Sequence, residues 1–256
     1  MRWRHMAERL THRVVLRRRL PDPFPRLPFY VSSEGGLRYL RPSLHDVDPT
    51  LLRTALRCVR PGQVVWDVGA NVGLFSVAAA ALAGSRGRVF AMEPDTWLVS
   101  LLRKTAASAG PRAPIEVLPV AVCDQNGLAG FNIAKRSRAT SHLDGFGSTQ
   151  TGGTRWHETV ATMTLDRLLD FRPAPDFLKV DVEGAEVLVL RGAERVLRLG
   201  VTLLIEVGAE HSVEVAQLLC SHGYRFFDAE HADFPECELP PDSTLAATDL
   251  LRIGKK

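Results

Sequence analysis

The stretch that most constrains this chain runs from Val64 to Ser76 and reads Val-Val-Trp-Asp-Val-Gly-Ala-Asn-Val-Gly-Leu-Phe-Ser. Val64 to Val68 is a short apolar run without helical period, the pattern of a strand buried on both faces of a parallel sheet. Gly69 and Gly73 then break the chain, and an apolar helical run follows from about Leu74 to Ala83. Strand, glycine turn and helix in this order bring backbone N–H groups and a helix N-terminus up to a ligand. Gly69 permits a turn at positive φ, and Gly73 is expected to let a ligand approach the backbone where a Cβ would clash.

This turn is not the dinucleotide fingerprint G-x-G-x-x-G, because Asn71 and Leu74 stand where the second and third glycines belong. A second buried strand, Val89 to Met92, ends in Glu93-Pro94. An acid at that tip is placed to accept hydrogen bonds from ribose hydroxyls. Asp67, Gly69, Asn71, Gly73 and Glu93 are therefore the expected walls of a nucleoside site, and Asp-x-Gly-x-Asn-x-Gly followed by an acid resembles the S-adenosylmethionine site of class I methyltransferases. A third apolar run, Ile115 to Val122, leads to Asp124, which such a sheet places beside the adenine; an ordinary Asp-x-x-Gly turn explains Asp124 equally well.

The other diagnostic stretch is Asp176 to Glu186, Asp-Phe-Leu-Lys-Val-Asp-Val-Glu-Gly-Ala-Glu. Phe177 to Val182 reads as a buried strand, and Lys179, Asp181 and Glu183 alternate onto one side of its end. Three charges there are costly unless they pair or serve a site. Gly184 starts a helix with Val187, Leu188, Leu190 and Leu197 facing inward.

Around these stretches the chain divides into three. Residues 1–28 are a basic arm and proline-rich linker: eight arginines stand in the first 26 residues against Glu8 and Asp22. Trp3, Met6, Leu10 and Val14 fall at helical spacing there, which suits a solvated helix or contact with an anionic membrane or a partner. Residues 29–62 form an extension, with a hairpin of Phe29-Tyr30-Val31 and Leu37 to Leu40 and a helix capped by Asp48 that starts at Pro49. Residues 63–256 form the main domain. Within it Lys135 to Glu158 is a long Ser, Thr and Gly-rich loop carrying Arg136, Arg138, His142 and Trp156, read as a mobile lid over a polar substrate or as a plain insertion. Later runs predict a fifth strand at Val201–Val207 with Glu206, a helix at Val213–Ser221, and strands at Gly223–Phe227 and Thr248–Ile253.

Outside the arm, acidic residues outnumber basic ones, which argues against an extended nucleic-acid surface. No apolar run is long enough to cross a bilayer, no apolar leader core follows the basic N-terminus, and the four cysteines lack metal or disulfide spacing. A cytoplasmic protein without a zinc site is expected, and the oligomeric state is not readable.

The two diagnostic stretches together resemble the FkbM family of S-adenosylmethionine-dependent methyltransferases. Asp67–Gly73, Glu93-Pro94, Lys179–Glu186 and Leu190-Arg191-Gly192-Ala193 carry the likeness, which spans about Val64 to Val207 and includes Glu206. It implies an α/β, Rossmann-like class I methyltransferase fold: a seven-stranded, mostly parallel sheet with helices on both faces, plus the small N-terminal extension. It also implies S-adenosylmethionine as cofactor and O-methylation of a hydroxyl on a sugar, glycolipid or natural product. Alcohols are poor nucleophiles, so a base is needed; Asp181 is the first candidate, with Glu183 and His142 behind it and Lys179 holding the carboxylates. Coordination of Mg²⁺ by these carboxylates is an alternative. Rival readings are a non-catalytic nucleoside-binding module acting as an auxiliary subunit and a nicotinamide dehydrogenase.

Overall fold

The structure is a computed structural model that describes residues 14–41, 43–44, 47–146, 152–208, 211–229, 231, 233, 236–237 and 249–254. The helical face expected at Trp3, Met6 and Leu10, with its membrane or partner contact, lies outside these residues.

Strands β1 (Val15–Arg19) and β2 (Pro28–Ser32) pair antiparallel, with Arg17 opposite Tyr30. This corrects two expectations. The boundary at residue 28 falls inside a hairpin, and the partner of Phe29-Tyr30-Val31 is the arginine run, while Leu37–Leu40 forms a 3-10 turn. The arginines disguised a strand as an arm. The proline segment between them is a packed connection, with Leu20, Phe24 and Leu27 buried. Helix α1 (Pro49–Cys58) follows, with proline in its first turn.

The main sheet has eight strands. They lie in the order β13 (Glu236–Cys237), β12 (Arg225–Asp228), β14 (Asp249–Gly254), β11 (Thr202–Val207), β10 (Phe177–Val180), β3 (Val64–Val68), β4 (Arg88–Met92) and β5 (Ile115–Leu118). From β5 to β11 all neighbours are parallel, and β14 runs antiparallel between β11 and β12. The strand beyond the expected seven is the two-residue edge β13.

The two faces of this sheet are covered by different helices. Val65, Val89, Ala91, Phe177 and Leu204 pack with α1, α2 (Leu74–Ala83) and α3 (Thr96–Ala106). Trp66, Phe90, Leu178 and Leu203 pack on the other side with α4 (Leu165–Leu168), α5 (Glu186–Arg191), α6 (Glu194–Arg198) and α7 (Ser212–Ser221). The helix expected after Gly184 is thus two short helices, α5 and α6, broken at Gly192-Ala193; a Cβ at Gly192 would lie 2.3 Å from the Cys123 carbonyl oxygen. Among the described residues no helix is long and apolar enough to cross a membrane.

The expected strand Ile115–Val122 also divides. Pro119 has no N–H to continue the ladder, and after it β6 (Ala121–Val122) leaves the main sheet to pair with β9 (Thr154–Met163). With β7 (Gly127–Ala134) and β8 (His142–Leu143) they form a second sheet, ordered β6-β9-β7-β8. The expected loop Lys135–Glu158 is therefore partly structured: among its described residues it contains a 3-10 turn (Arg138–Thr140), β8 and half of β9.

Candidate active site

The carboxyl ends of β3, β4, β10 and β11 open into one cavity of about 670 Å³, lined also by the second sheet and by residues 33, 36–38 and 48–51 of the extension. Ligands of open α/β sheets bind at this end. Asp48, Asn71 and Glu183 are the only described non-glycine residues with left-handed φ (50°, 51° and 56°), and all three line the cavity. Such conformations cost on the order of 1–3 kcal/mol each and concentrate where function over-determines the backbone.

On the β4 side, Glu93 is 6% exposed. Its Oε2 accepts from the Asn71 backbone N–H at 2.9 Å and its Oε1 from the Asp95 N–H at 2.9 Å. Burial, reinforced by the Asp95 charge, pushes its carboxyl up to about 8. Each oxygen keeps a lone pair for a further donor. Asn71 Nδ2 donates to the Gly35 carbonyl, while its buried Oδ1 has no hydrogen-bond partner among the described residues. Met92, Leu98, Val120, Val122 and Phe131 supply apolar walls.

On the β10 side the parallel register sets Lys179 beside Asp67, both projecting on the face of Val65 and Phe177. The Lys179 ammonium lies 3.3 Å from both Asp67 Oδ1 and Asp181 Oδ2, and donates to the Gly69 carbonyl at 2.7 Å. Burial pulls its pKa down, but Asp181 and Asp67 outweigh burial and the net shift is upward. Ser76 of α2 donates to Asp67 Oδ2 at 2.5 Å. Asp67 is fully buried beneath the turn rather than at the cavity wall, so it holds the turn.

Gly69 has φ +72°, and a Cβ there would sit 1.8 Å from the Asp181 carbonyl oxygen. Gly73 departs from expectation. Its Cβ would meet Leu102 Cδ2 at 2.6 Å. The glycine is needed for a left-handed turn against α3, not for room beside a ligand.

Asp181, Glu183 and Glu206 gather at the carboxyl ends of β10 and β11 and face the cavity. Burial first, then the Asp181 and Glu206 charges, push Glu183 up to about 8. Asp181 and then burial push Glu206 up to about 7. His142 and Asp124 do not join them. Around β8 the cavity is lined by Ser141, just before the strand, and by Leu143, and alternation turns His142 away, its Nδ1 3.1 Å from the Thr140 carbonyl oxygen. Asp124 follows β6 beside Gly192, outside the cavity lining. Among the described residues no three His, Cys, Asp or Glu side chains are grouped to hold a metal ion, so the Mg²⁺ alternative gains no support.

Two residues read from sequence in other roles, Asp48 as a helix cap and Arg138 as part of a lid, complete the enclosure. Asp48 occupies the N-cap position of α1 but makes no side-chain cap bond; its carboxylate accepts from Arg38 at 2.7 Å instead. Arg138 is buried, donates to both oxygens of Asp95 at 2.7 and 2.8 Å and to Glu34 at 3.0 Å, and lies 4.9 Å from the Trp156 ring. It thereby fastens the second sheet to the cap of α3, two residues after Glu93. Asp-Pro reads as a helix start, and Arg138 lies in a stretch with no periodicity, so neither role left a signal in the sequence.

S-adenosylmethionine fits this donor set: Glu93 suits a ribose diol, the orphaned Asn71 Oδ1 suits an ammonium or hydroxyl donor, and the apolar walls suit an adenine. The sheet order and the cavity at the carboxyl ends of its strands have the arrangement expected of a class I methyltransferase. Residues 67–226, more than half of the chain, match the model of the methyltransferase FkbM domain, and the chain belongs to that family. It is 28% identical over 163 residues to the hexuronic acid methyltransferase AglP of Haloferax volcanii, covering 62% of each protein. Similar solved structures include a methyltransferase FkbM from Methylobacillus flagellatus (16% identity, 80% of this chain and 50% of that one, TM-score 0.44). Another is Aeropyrum pernix fibrillarin with bound S-adenosyl-L-methionine (14% identity, 89% and 79%, TM-score 0.47).

Proposed function

We propose that this chain transfers a methyl group from S-adenosylmethionine to a hydroxyl of a sugar, a glycolipid or a natural product. One observation carries the reading: a single cavity joins the ribose-type acid Glu93 to the carboxylates at the end of β10. The likeness to a hexuronic acid methyltransferase supports a sugar among these acceptors. Bound S-adenosylmethionine supplies an electrophilic methyl carbon on a sulfonium, open to in-line attack.

Asp181 serves as the base. Its side chain is 36% exposed, toward the cavity, and Lys179 holds it from behind. A carboxylate fixed in this way orients the acceptor O–H and receives its proton as the oxygen–carbon bond forms. Lys179 is a positioning residue, its charge already shared by Asp67 and Asp181. Glu183, beside Asp181, is the alternative proton acceptor. The lining of Arg138, Ser141 and Leu143 limits water around the reacting oxygen. Incubation with methyl-labelled S-adenosylmethionine and a panel of sugars and glycolipids tests the reading; label in an alkali-stable ether product is expected, and no label in any acceptor would overturn it.

A further inference from the structure

The acceptor end of the cavity is set by charge. Asp181 and Glu183 reach it from β10, Glu206 from β11, and Arg38 and Asp48 from the N-terminal extension. The cations there are already engaged. Lys179 is shared by Asp67, Asp181 and the Gly69 carbonyl, and Arg38 is bound to Asp48 at 2.7 Å. Glu183 and Glu206 have neither an ion pair nor a hydrogen bond among the described residues. Arg38 and Asp48 lie outside the segment that matches the family, so only this part of the wall comes from the N-terminal extension.

Resting on the sugar-acceptor reading above, we propose that the site selects an uncharged or amine-bearing sugar over a sugar acid, and that Glu206 is the specificity-determining residue. A uronic carboxylate entering this end meets three clustered carboxyl groups whose nearest cations, Lys179 and Arg38, are already paired with Asp181, Asp67 and Asp48. Asp181, Glu183 and Glu206 already disfavour negative charge on one another, and one more like charge is rejected. A ring ammonium meets two carboxyls without partners, and neutral hydroxyls meet hydrogen-bond acceptors. Glu206 is the exposed member of the group, at the end of the neighbouring strand, so it contacts the part of the acceptor beyond the reacting hydroxyl. On the opposite wall, Arg136 lines the cavity without a carboxylate partner among the described residues, and it is the residue an acidic acceptor would use.

The test uses the full chain with S-adenosylmethionine and three probes, the methyl glycosides of glucose, glucosamine and glucuronic acid, in wild type, Glu206→Gln and Glu206→Lys. The wild type is expected to turn over the glucuronide slowest in kcat/KM, by about tenfold or more, the scale of one misplaced charge. Glu206→Gln should narrow the amine-to-acid ratio and Glu206→Lys invert it, with S-adenosylmethionine affinity by calorimetry unchanged. Preference for the glucuronide, or a ratio that neither variant moves, overturns the proposal while leaving the sugar-acceptor reading intact. Methylation of none of the three by a chain that binds S-adenosylmethionine overturns that reading, and this proposal with it.

Discussion

The ammonium of Lys179 lies 2.7 Å from the carbonyl oxygen of Gly69, so β10 holds the glycine turn that follows β3. The same nitrogen sits 3.3 Å from Asp67 and 3.3 Å from Asp181, which joins the support of the cofactor turn to the proposed base. Removing one partner from a buried ion pair leaves an uncompensated charge. Lys179→Met is expected to lower unfolding free energy by about 3–5 kcal/mol, read by urea denaturation, and to remove activity even where the fold survives.

The glycines separate two kinds of constraint. Gly69→Ala places a Cβ 1.8 Å from the Asp181 carbonyl oxygen, and overpacking with strain should cost on the order of 3 kcal/mol. Gly73→Ala instead presses on the flexible end of Leu102, 2.6 Å away. Leu102→Ala in the same chain should recover part of the lost thermal midpoint. No recovery would show that the left-handed backbone alone fixes Gly73.

Asp181→Asn keeps the shape of the site and removes the proton acceptor. Turnover should fall by about 10²–10⁴-fold, the usual contribution of a positioned base, while S-adenosylmethionine affinity stays within about threefold of wild type. Retained turnover would transfer the base to Glu183.

Stability should also depend on pH in a stated direction. Glu93 and Glu183 are raised to about 8, chiefly by burial, and Glu206 to about 7, chiefly by Asp181. Each folded carboxyl keeps a proton that the unfolded chain has already released, so their combined effect favours folding below the unfolded values and is lost as pH rises through the folded ones. The thermal midpoint of the ligand-free chain is expected to fall between about pH 5 and 8, and Glu93→Gln should flatten that slope. A midpoint that rises across this window would contradict the placement of these groups.

Much of the cofactor half was legible because its signals are local. An apolar run, two glycines and an acid at the next strand tip specify strand, turn and pocket within about thirty residues of chain. Alternation alone put Lys179, Asp181 and Glu183 together. What escaped depends on partners distant in sequence. The strand Val15–Arg19 is recognisable only from its pairing with Pro28–Ser32, and neither β8, only two residues long, nor β9, half-buried or exposed along most of its length, shows a clear alternation. His142 was misplaced since chemistry, without the parity of β8, says nothing about which face a residue takes. Arg138 and Asp48 carry roles set by Asp95, Glu34 and Arg38, up to 104 residues away.

The most direct measurement is calorimetric titration of the purified chain with S-adenosylmethionine and, separately, with NAD, repeated on Glu93→Ala. One S-adenosylmethionine per chain, no NAD binding, and an affinity weakened about 10–100-fold by Glu93→Ala are the predicted results, the scale of two lost hydrogen bonds. Absence of S-adenosylmethionine binding, tighter binding of NAD, or an affinity indifferent to Glu93 would contradict the account.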